Sequence, residues 1–187
     1  MQRTVEYFET PGKANTERCI ELLVEEVRAG REHVVVASTE GDTGAAVARA
    51  LQGSQANLVV VTHSVGFSKP NVDEFNAEHR QAIESAGGRV VTATMPTHAI
   101  ETALMKQHQG VYPAYLIAQA LRRFSEGTKV GVEISLMACD AGAVPEGADV
   151  LTLAGTGRGA DTLLLIRPAA TKRFLELRVL EILAKPR

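Results

Sequence analysis

The chain has 187 residues, 45% of them hydrophobic, and a formal net charge of −2 at pH 7. This length and composition predict one globular domain over residues 1–187, with a sizeable core. The small net charge argues against a nucleic-acid or membrane partner. The apolar runs fall short of the ~18 residues of a membrane span, and the N-terminus lacks the apolar h-region of a signal peptide, so we expect a cytoplasmic protein.

Two cysteines, Cys19 and Cys139, lie far apart in helical patterns. We expect both to be reduced, mostly buried thiols rather than a disulfide or a metal pair. The histidines show no spacing of the HxxxH type, so we do not expect zinc.

The first half of the chain alternates between predicted strands and helices. In chain order, the pattern predicts an edge strand at 4–8, a helix from 15 or 16 to about 29, a buried strand at 34–37, a helix at 45–51, a strand at 58–62, a helix after 71 that ends before 87, and a strand at 89–93. Asn15 or Thr16 can cap the first helix, and Asn71 is expected to cap the third, with Asp73 and Glu74 in its first turn.

The second half predicts a helix opened by Pro96 and Thr97 that ends near Gln107, and another from Pro113 to about Phe124. Two strands, at 149–154 and 162–167, come later. The seven-residue connector between them is too short for a parallel crossover, so the second of these strands must run antiparallel to the first.

Two segments allow alternative interpretations. Residues 129–141 have apolar residues at helical spacing and also an alternating stretch at 132–136; we favour a helix, with Thr128 as its cap and Gly142 as its stop. The tail alternates over 175–179, which favours a strand that could pair with the N-terminal strand. An amphipathic helix through residues 175–183 is the alternative.

Strands that alternate with helices predict a three-layer α/β/α sandwich around a mostly parallel sheet. In such sheets, ligands bind beyond the carboxyl ends of the strands, where the strand order reverses. His63 and His98 each follow the end of a predicted strand, so both could reach this edge.

The loop at 38–44, STEGDTG, joins the strand at 34–37 to a helix N-terminus, an arrangement that can bind an anion. Its hydroxyl groups could donate to a phosphate, and Gly41 and Gly44 would let the backbone approach closely. The alternative is that Thr43 merely caps the helix and the glycines make the turn. Two carboxylates in the loop would repel a phosphate unless they point away or pair with a cation such as Lys13, Lys69 or Arg158.

The second glycine-rich loop, GTGRGAD at 155–161, superficially matches the dinucleotide fingerprint, but a strand follows it instead of the required helix, so we reject that interpretation. It could form a backbone nest that binds an anion, or a hairpin in which Asp161 bonds its own backbone.

Several segments together resemble a family of small stand-alone proteins built like the C-terminal α/β domain of pyruvate kinase. They are YFETPGKANT, VVVASTEGDTG, THSVGF, GVYPA, VEISLMACDAG and AGTGRGADT, and they cover most of the chain. The resemblance implies a five-stranded mixed sheet of order 3-2-1-4-5 with the last strand antiparallel, to which the two chain ends could add a strand pair. It also implies that the loops at 38–44 and 155–161 meet at one crevice.

In allosteric pyruvate kinases, the loop that matches residues 38–44 holds a phosphate of a sugar bisphosphate. The resemblance therefore implies phosphate binding here, although Asp42 stands where that pattern often has a basic residue, which favours a monophosphate. The catalytic barrel is absent from this chain, so we expect no pyruvate kinase activity. The stand-alone family looks like flavin mononucleotide (FMN) binders, and the resemblance implies FMN as the cofactor.

Three functions stay open at this point: a protein that binds a phosphate-bearing small molecule such as FMN, a regulatory or sensor module for a phosphorylated metabolite, and a flavin-dependent oxidoreductase in which His63 is the acid/base candidate. Apolar helix faces would permit a homo-oligomer. The expected ligand-binding residues are Ser38, Thr39, Gly41, Asp42, Thr43, Gly44, His63, Ser64, Phe67, Thr156, Gly157, Arg158 and Gly159.

Overall fold

The computed structural model describes residues 2–187 and is built on one sheet of seven strands. The strands are β1 (Glu6–Phe8), β2 (His33–Ala37), β3 (Asn57–Thr62), β4 (Arg89–Thr92), β5 (Val150–Ala154), β6 (Thr162–Arg167) and β7 (Arg178–Pro186). The α-helices are α1 (Thr16–Arg28), α2 (Asp42–Ala50), α3 (Ala77–Ser85), α4 (Ile100–His108), α5 (Pro113–Arg122) and α6 (Glu126–Asp140), with 3₁₀ turns at Lys13–Asn15 and Thr171–Glu176.

The strand order across the sheet is β1-β7-β6-β5-β2-β3-β4. Strands β5, β2, β3 and β4 are parallel, and β6 is antiparallel to both of its neighbours. The α/β class is confirmed, and the five strands from β2 to β6 stand in the expected order. The sheet is nevertheless larger than five strands, because β7 pairs along β6 and β1 pairs in parallel with the end of β7. The tail is therefore a strand, preceded by a 3₁₀ turn, and not an amphipathic helix.

Helices cover both faces of the sheet, and strand residues alternate between two cores. On one face, Val34 and Val36 pack with side chains from α1, α2 and α3. On the other, Val35 and Val59 pack against α6, whose residues Ile134 and Met137 are almost fully buried. This alternation is what the two-residue repeat of a strand requires when both faces are covered.

Two of the predicted helix starts are wrong. Asn71 lies in a loop with a φ of 62°, and α3 begins only at Ala77; its cap is Asn76, whose side chain accepts from the amides of Glu78 and His79. The helix expected to open at Pro96 and Thr97 begins instead at Ile100. Its start is delayed because the amide and hydroxyl of Thr97 both donate to Glu133.

The expected cap of α6 is wrong, and the cap that was the alternative role for Thr43 in α2 does not form. Thr43 lies inside the first turn of α2, where the N-cap is Gly41, a residue in the left-handed conformation with no cap from any side chain. The cap of α6 is Ser125 rather than Thr128: the Ser125 hydroxyl accepts from the Thr128 amide at 2.9 Å. The segment 129–141 is helical, as favoured. No helix within residues 2–187 has the length and hydropathy of a membrane span.

Candidate functional site

A cavity of about 210 Å³ opens at the carboxyl ends of the parallel strands. It lies where β2 and β5 are neighbours, which is the point where the strand order reverses. The loop after β2 and the loop after β5 both line it, together with the loop after β3 and one side of α6. The two glycine-rich loops thus meet at one crevice, at the place where the switch-point rule puts a ligand.

The loop after β2 is held firmly in place. The amide of Ser38 donates to Val61 O at 3.0 Å, and the hydroxyl of Thr62 donates to Thr39 O at 2.8 Å. The carbonyl of Glu40 accepts from the amide of Asn76 at 3.1 Å. These contacts fix the loop to β3 and to the start of α3, so its donors are preorganised.

The N-terminus of α2 leaves backbone donors at the crevice. The first intrahelical bond runs from the Ala45 amide to Gly41 O at 2.8 Å, so the amides of Asp42, Thr43 and Gly44 have no partner within the helix. Gly41 has a φ of 97°, a conformation that only glycine adopts without strain. A helix end of this kind attracts anions, because its amides and its dipole both favour negative charge.

The hydroxyl of Ser38 is the most telling polar group of the crevice. The residue is only 5% exposed and lines the cavity, yet its Oγ has no hydrogen-bond partner among residues 2–187. A buried hydroxyl without a partner costs about 1–3 kcal/mol of stability. Such a group is readily explained when a polar ligand completes its hydrogen bonding.

The loop after β5 forms the opposite wall through Gly157, Arg158 and Gly159. Buried Asp161 sets its shape: its carboxylate accepts from the amide of Thr156 at 3.1 Å and from the amide of Gly12 at 2.8 Å. The predicted bond of Asp161 to its own loop backbone therefore exists. The stretch between Thr156 and Asp161, which these bonds hold at its two ends, lies at the crevice.

The charges at the rim largely cancel. Arg158 forms an ion pair with Glu40, and both side chains are about half exposed. The hydrogen bond from Arg158 holds the pKa of Glu40 below its ordinary value. Asp42 also lines the cavity, so the rim offers an anion little net positive charge.

Aromatic and imidazole rings form the mouth of the crevice. The ring centroids of His63 and Phe67 are 4.2 Å apart, and Phe67 is 45% exposed. His63 Nδ1 lies 3.0 Å from a carboxylate oxygen of Glu74. His98 also lines the cavity, and burial, helped by the charge of Lys129, lowers its pKa.

Four of the expected residues do not line the cavity: Gly41, Gly44, Ser64 and Thr156. The two glycines serve packing instead. A Cβ on Gly44 would lie 2.6 Å from Val60 Cγ1, and one on Gly41 would lie 2.8 Å from the ring of Phe75. Their backbones remain part of the loop, but a side chain at either position would point at the protein core and not into the cavity.

Sequence reasoning missed the wall formed by α6, where Lys129, Glu133 and Glu126 line the cavity. The signal was present: a lysine and a glutamate four residues apart share one face of a helix whose other residues around them are mostly apolar or small. The cavity wall also includes Met95, Val130 and Met137 on its apolar side.

Other reactive groups lie outside this crevice. Cys19 and Cys139 are buried free thiols, and burial raises the pKa of Cys19 to about 12 and that of Cys139 to about 11. Within the described part of the chain, no group of three or more histidine, cysteine or acidic side chains is arranged to hold a metal ion.

The fold and the crevice together define an α/β sandwich with a cavity at its switch point, lined by hydroxyl groups and by the N-terminus of α2. No family model matches the chain. Its function must therefore be inferred from the crevice.

Proposed function

We propose that the protein binds a phosphate-bearing small molecule in this crevice, with FMN as the ligand. The observation that carries the proposal is the buried, unpartnered hydroxyl of Ser38 at the mouth of a helix N-terminus whose amides are free. Hydroxyl and amide donors at such a position are what a phosphate group requires.

In this proposal, the phosphate accepts from the hydroxyls of Ser38, Thr39 and Thr43 and from the first amides of α2. The backbone of Gly157 and Gly159 faces it from the opposite loop. Arg158 attracts the phosphate less strongly than a free arginine would, because its charge is partly offset by the carboxylate of Glu40. With Asp42 also at the wall, a monophosphate suits the crevice better than a bisphosphate does.

The choice of FMN rests on the resemblance to flavin-binding proteins and is compatible with the mouth of the crevice. A cavity of 210 Å³ is smaller than the ~300–1,000 Å³ of sites that enclose a whole drug-sized ligand. The phosphate and its carbon chain would therefore occupy the interior. The flat ring system would lie at the open mouth, beside Phe67 and His63.

The test is an absorbance spectrum of the purified protein, followed by equilibrium dialysis with FMN. We expect an absorbance band near ~450 nm from bound flavin, or saturable rebinding of added FMN. Thr43→Glu puts a bulky carboxylate among the phosphate donors and should abolish binding. Ser54→Glu, on an exposed turn after α2, is the matched control and should bind as the wild type does.

A colourless protein that binds neither FMN nor inorganic phosphate would overturn the proposal. Loss of FMN binding in the Ser54→Glu control as well would show that the effect of Thr43→Glu is not local.

The limited volume of the crevice favours a second candidate, a regulatory module that binds a compact phosphorylated metabolite. Sugar phosphates would then stabilise the protein and FMN would not. At a ligand concentration of about 100 times Kd, the gain in unfolding free energy is about 2.7 kcal/mol, which a thermal-shift assay detects.

The contact of His63 with Glu74 keeps a third candidate open, a flavin-dependent oxidoreductase with His63 as its acid/base group. This role requires that His63→Ala slow NAD(P)H-dependent reduction of bound flavin. An unchanged rate would leave binding as the only function of this site.

A further inference from the structure

The wall of the crevice formed by α6 carries a buried ion pair between Lys129 and Glu133. Each side chain is only 3% exposed, and both line the same cavity as Ser38. Neither the resemblance nor the phosphate donors account for a pair of opposite charges at this place.

Small residues on α6 bring this helix close to the sheet. A Cβ on Gly131 would lie 2.9 Å from Thr152 Oγ1 and 3.1 Å from Leu164 Cδ1. A side chain at Gly131 would thus push the helix away from β5 and β6. The close approach buries the length of α6 and leaves the ion pair at the cavity wall.

The carboxylate of Glu133 is fully engaged by protein donors. One oxygen accepts from the Thr97 amide at 2.9 Å and from the Thr97 hydroxyl, and the other accepts from Lys129. Burial by itself would raise the pKa of Glu133, but the charge of Lys129 and these hydrogen bonds hold it below the ordinary value. Glu133 therefore stays ionised and orients the ammonium group.

The ammonium of Lys129, in contrast, has more N–H donors than the described residues accept from. It carries three N–H bonds, and Glu133 is its one hydrogen-bond partner among the described residues. His98, which precedes α4, also lines the cavity, and its buried Nδ1 has no hydrogen-bond partner in residues 2–187, as is the case for Ser38 Oγ. Replacing a buried ion pair by two well-packed apolar side chains is often neutral or stabilising. Stability alone therefore does not explain an ion pair at this place.

We propose that Lys129 is a ligand-binding residue that donates to a carbonyl or other acceptor oxygen on the ligand, and that Glu133 is the residue that positions it. This inference rests on the proposed phosphate site, because it assigns the opposite wall of the same crevice. It narrows the ligand to a phosphate ester that also carries such an acceptor, a class that includes FMN and excludes bare phosphate.

The test compares two probes, FMN and inorganic phosphate, by isothermal titration. Lys129→Met should weaken FMN binding roughly ten- to hundredfold, as expected for one lost hydrogen bond to a charged group. Binding of inorganic phosphate should change less than about twofold, since that probe reaches only the α2 end. Lys106→Met removes an exposed lysine from α4, outside the cavity, and should change neither affinity.

A structural role would behave differently. The double variant Lys129→Met/Glu133→Leu removes both charges, and we expect it to fold, to bind inorganic phosphate as the wild type does and to lose its preference for FMN. Equal weakening of both probes in a folded variant would overturn the inference.

The outcomes separate the two proposals. If the wild type binds inorganic phosphate but binds FMN no more tightly than inorganic phosphate, the proposed role of Lys129 is wrong and the phosphate site stands. If it binds no phosphate-bearing probe, the proposed function fails and this inference fails with it.

Discussion

Arg158 pairs with Glu40 across the crevice, so the one arginine on the cavity wall is already engaged by a carboxylate of the facing loop. Their separation in sequence is 118 residues, and the contact exists because β2 and β5 are neighbours at the point where the strand order reverses. This pair ties the two loops together and offsets the positive charge of Arg158 at the cavity wall.

Glu40→Gln should strengthen anion binding. It removes one negative charge and frees the guanidinium of Arg158, so we expect a several-fold lower Kd for inorganic phosphate and a steeper dependence on salt. Stability should change little, because exposed ion pairs contribute about 0–1 kcal/mol. Titrations with inorganic phosphate at two salt concentrations measure the Kd and its dependence on salt.

The control for this change is Glu17→Gln, which removes an exposed charge from the first turn of α1. If Glu40→Gln weakened phosphate binding while the control left it unchanged, Arg158 would be needed in its present position and not as a free cation.

Gly44→Ala should destabilise the fold and weaken the phosphate site together. The new methyl group would lie 2.6 Å from Val60 Cγ1 and 2.9 Å from Val60 Cγ2, so α2 must move away from β3. Overpacking of this kind costs about 1–3 kcal/mol, which exceeds the gain of about 1 kcal/mol from the higher helix propensity of alanine. Urea unfolding measures the loss.

Ala50→Leu enlarges an exposed residue of the same helix and should leave both stability and phosphate affinity nearly unchanged. If Gly44→Ala unfolded at the same urea concentration as the wild type, the sheet would accommodate the methyl group with no loss of stability.

The buried ion pair also predicts a dependence of stability on pH. The pKa of Glu133 is lower in the folded protein than in the unfolded chain, where it is about 4.3. Its stabilising contribution is therefore present above the unfolded pKa and is lost as the pH falls through the folded pKa. Between about pH 5 and pH 3, the unfolding free energy of Lys129→Met/Glu133→Leu should fall less steeply than that of the wild type.

The comparison for this prediction is Lys172→Met/Glu176→Leu, which changes two exposed residues of the 3₁₀ turn before β7. Between about pH 5 and pH 3, its unfolding free energy should fall as steeply as that of the wild type. The lowered pKa of His98 affects a separate interval near its unfolded value of about 6.5. If the unfolding free energy of both double variants fell equally steeply between about pH 5 and pH 3, Glu133 would not be held ionised by its surroundings.

Local patterns predicted most elements because each followed from neighbours in the chain. The run of valines at 34–36 is a strand buried on both faces, and Pro113 begins a helix at the position where its missing amide costs nothing. Helix starts were less predictable. Asn71 and Asn76 are equally good caps by residue type, and only the backbone conformation selects Asn76.

The glycine-rich loops could be named from sequence, but the purpose of each glycine could not. Gly41 and Gly44 were expected to let the backbone approach a ligand closely; the structure adds that a Cβ on Gly41 would meet Phe75 and one on Gly44 would meet Val60. Which neighbour a missing Cβ accommodates depends on the packing of α2 against the sheet and on α3.

The sequence by itself determined that this is an α/β protein with two short, donor-rich loops after two of its strands, since strand and helix periodicities and turn residues are properties of neighbouring residues. The resemblance implied that these loops meet and that the chain ends could add a strand pair, and the tertiary structure shows the contacts by which they do. Only the tertiary structure decided that Lys129 and Glu133 lie in the crevice wall. The reason is that burial and pairing are set by contacts between segments far apart in the chain, and no local pattern contains them.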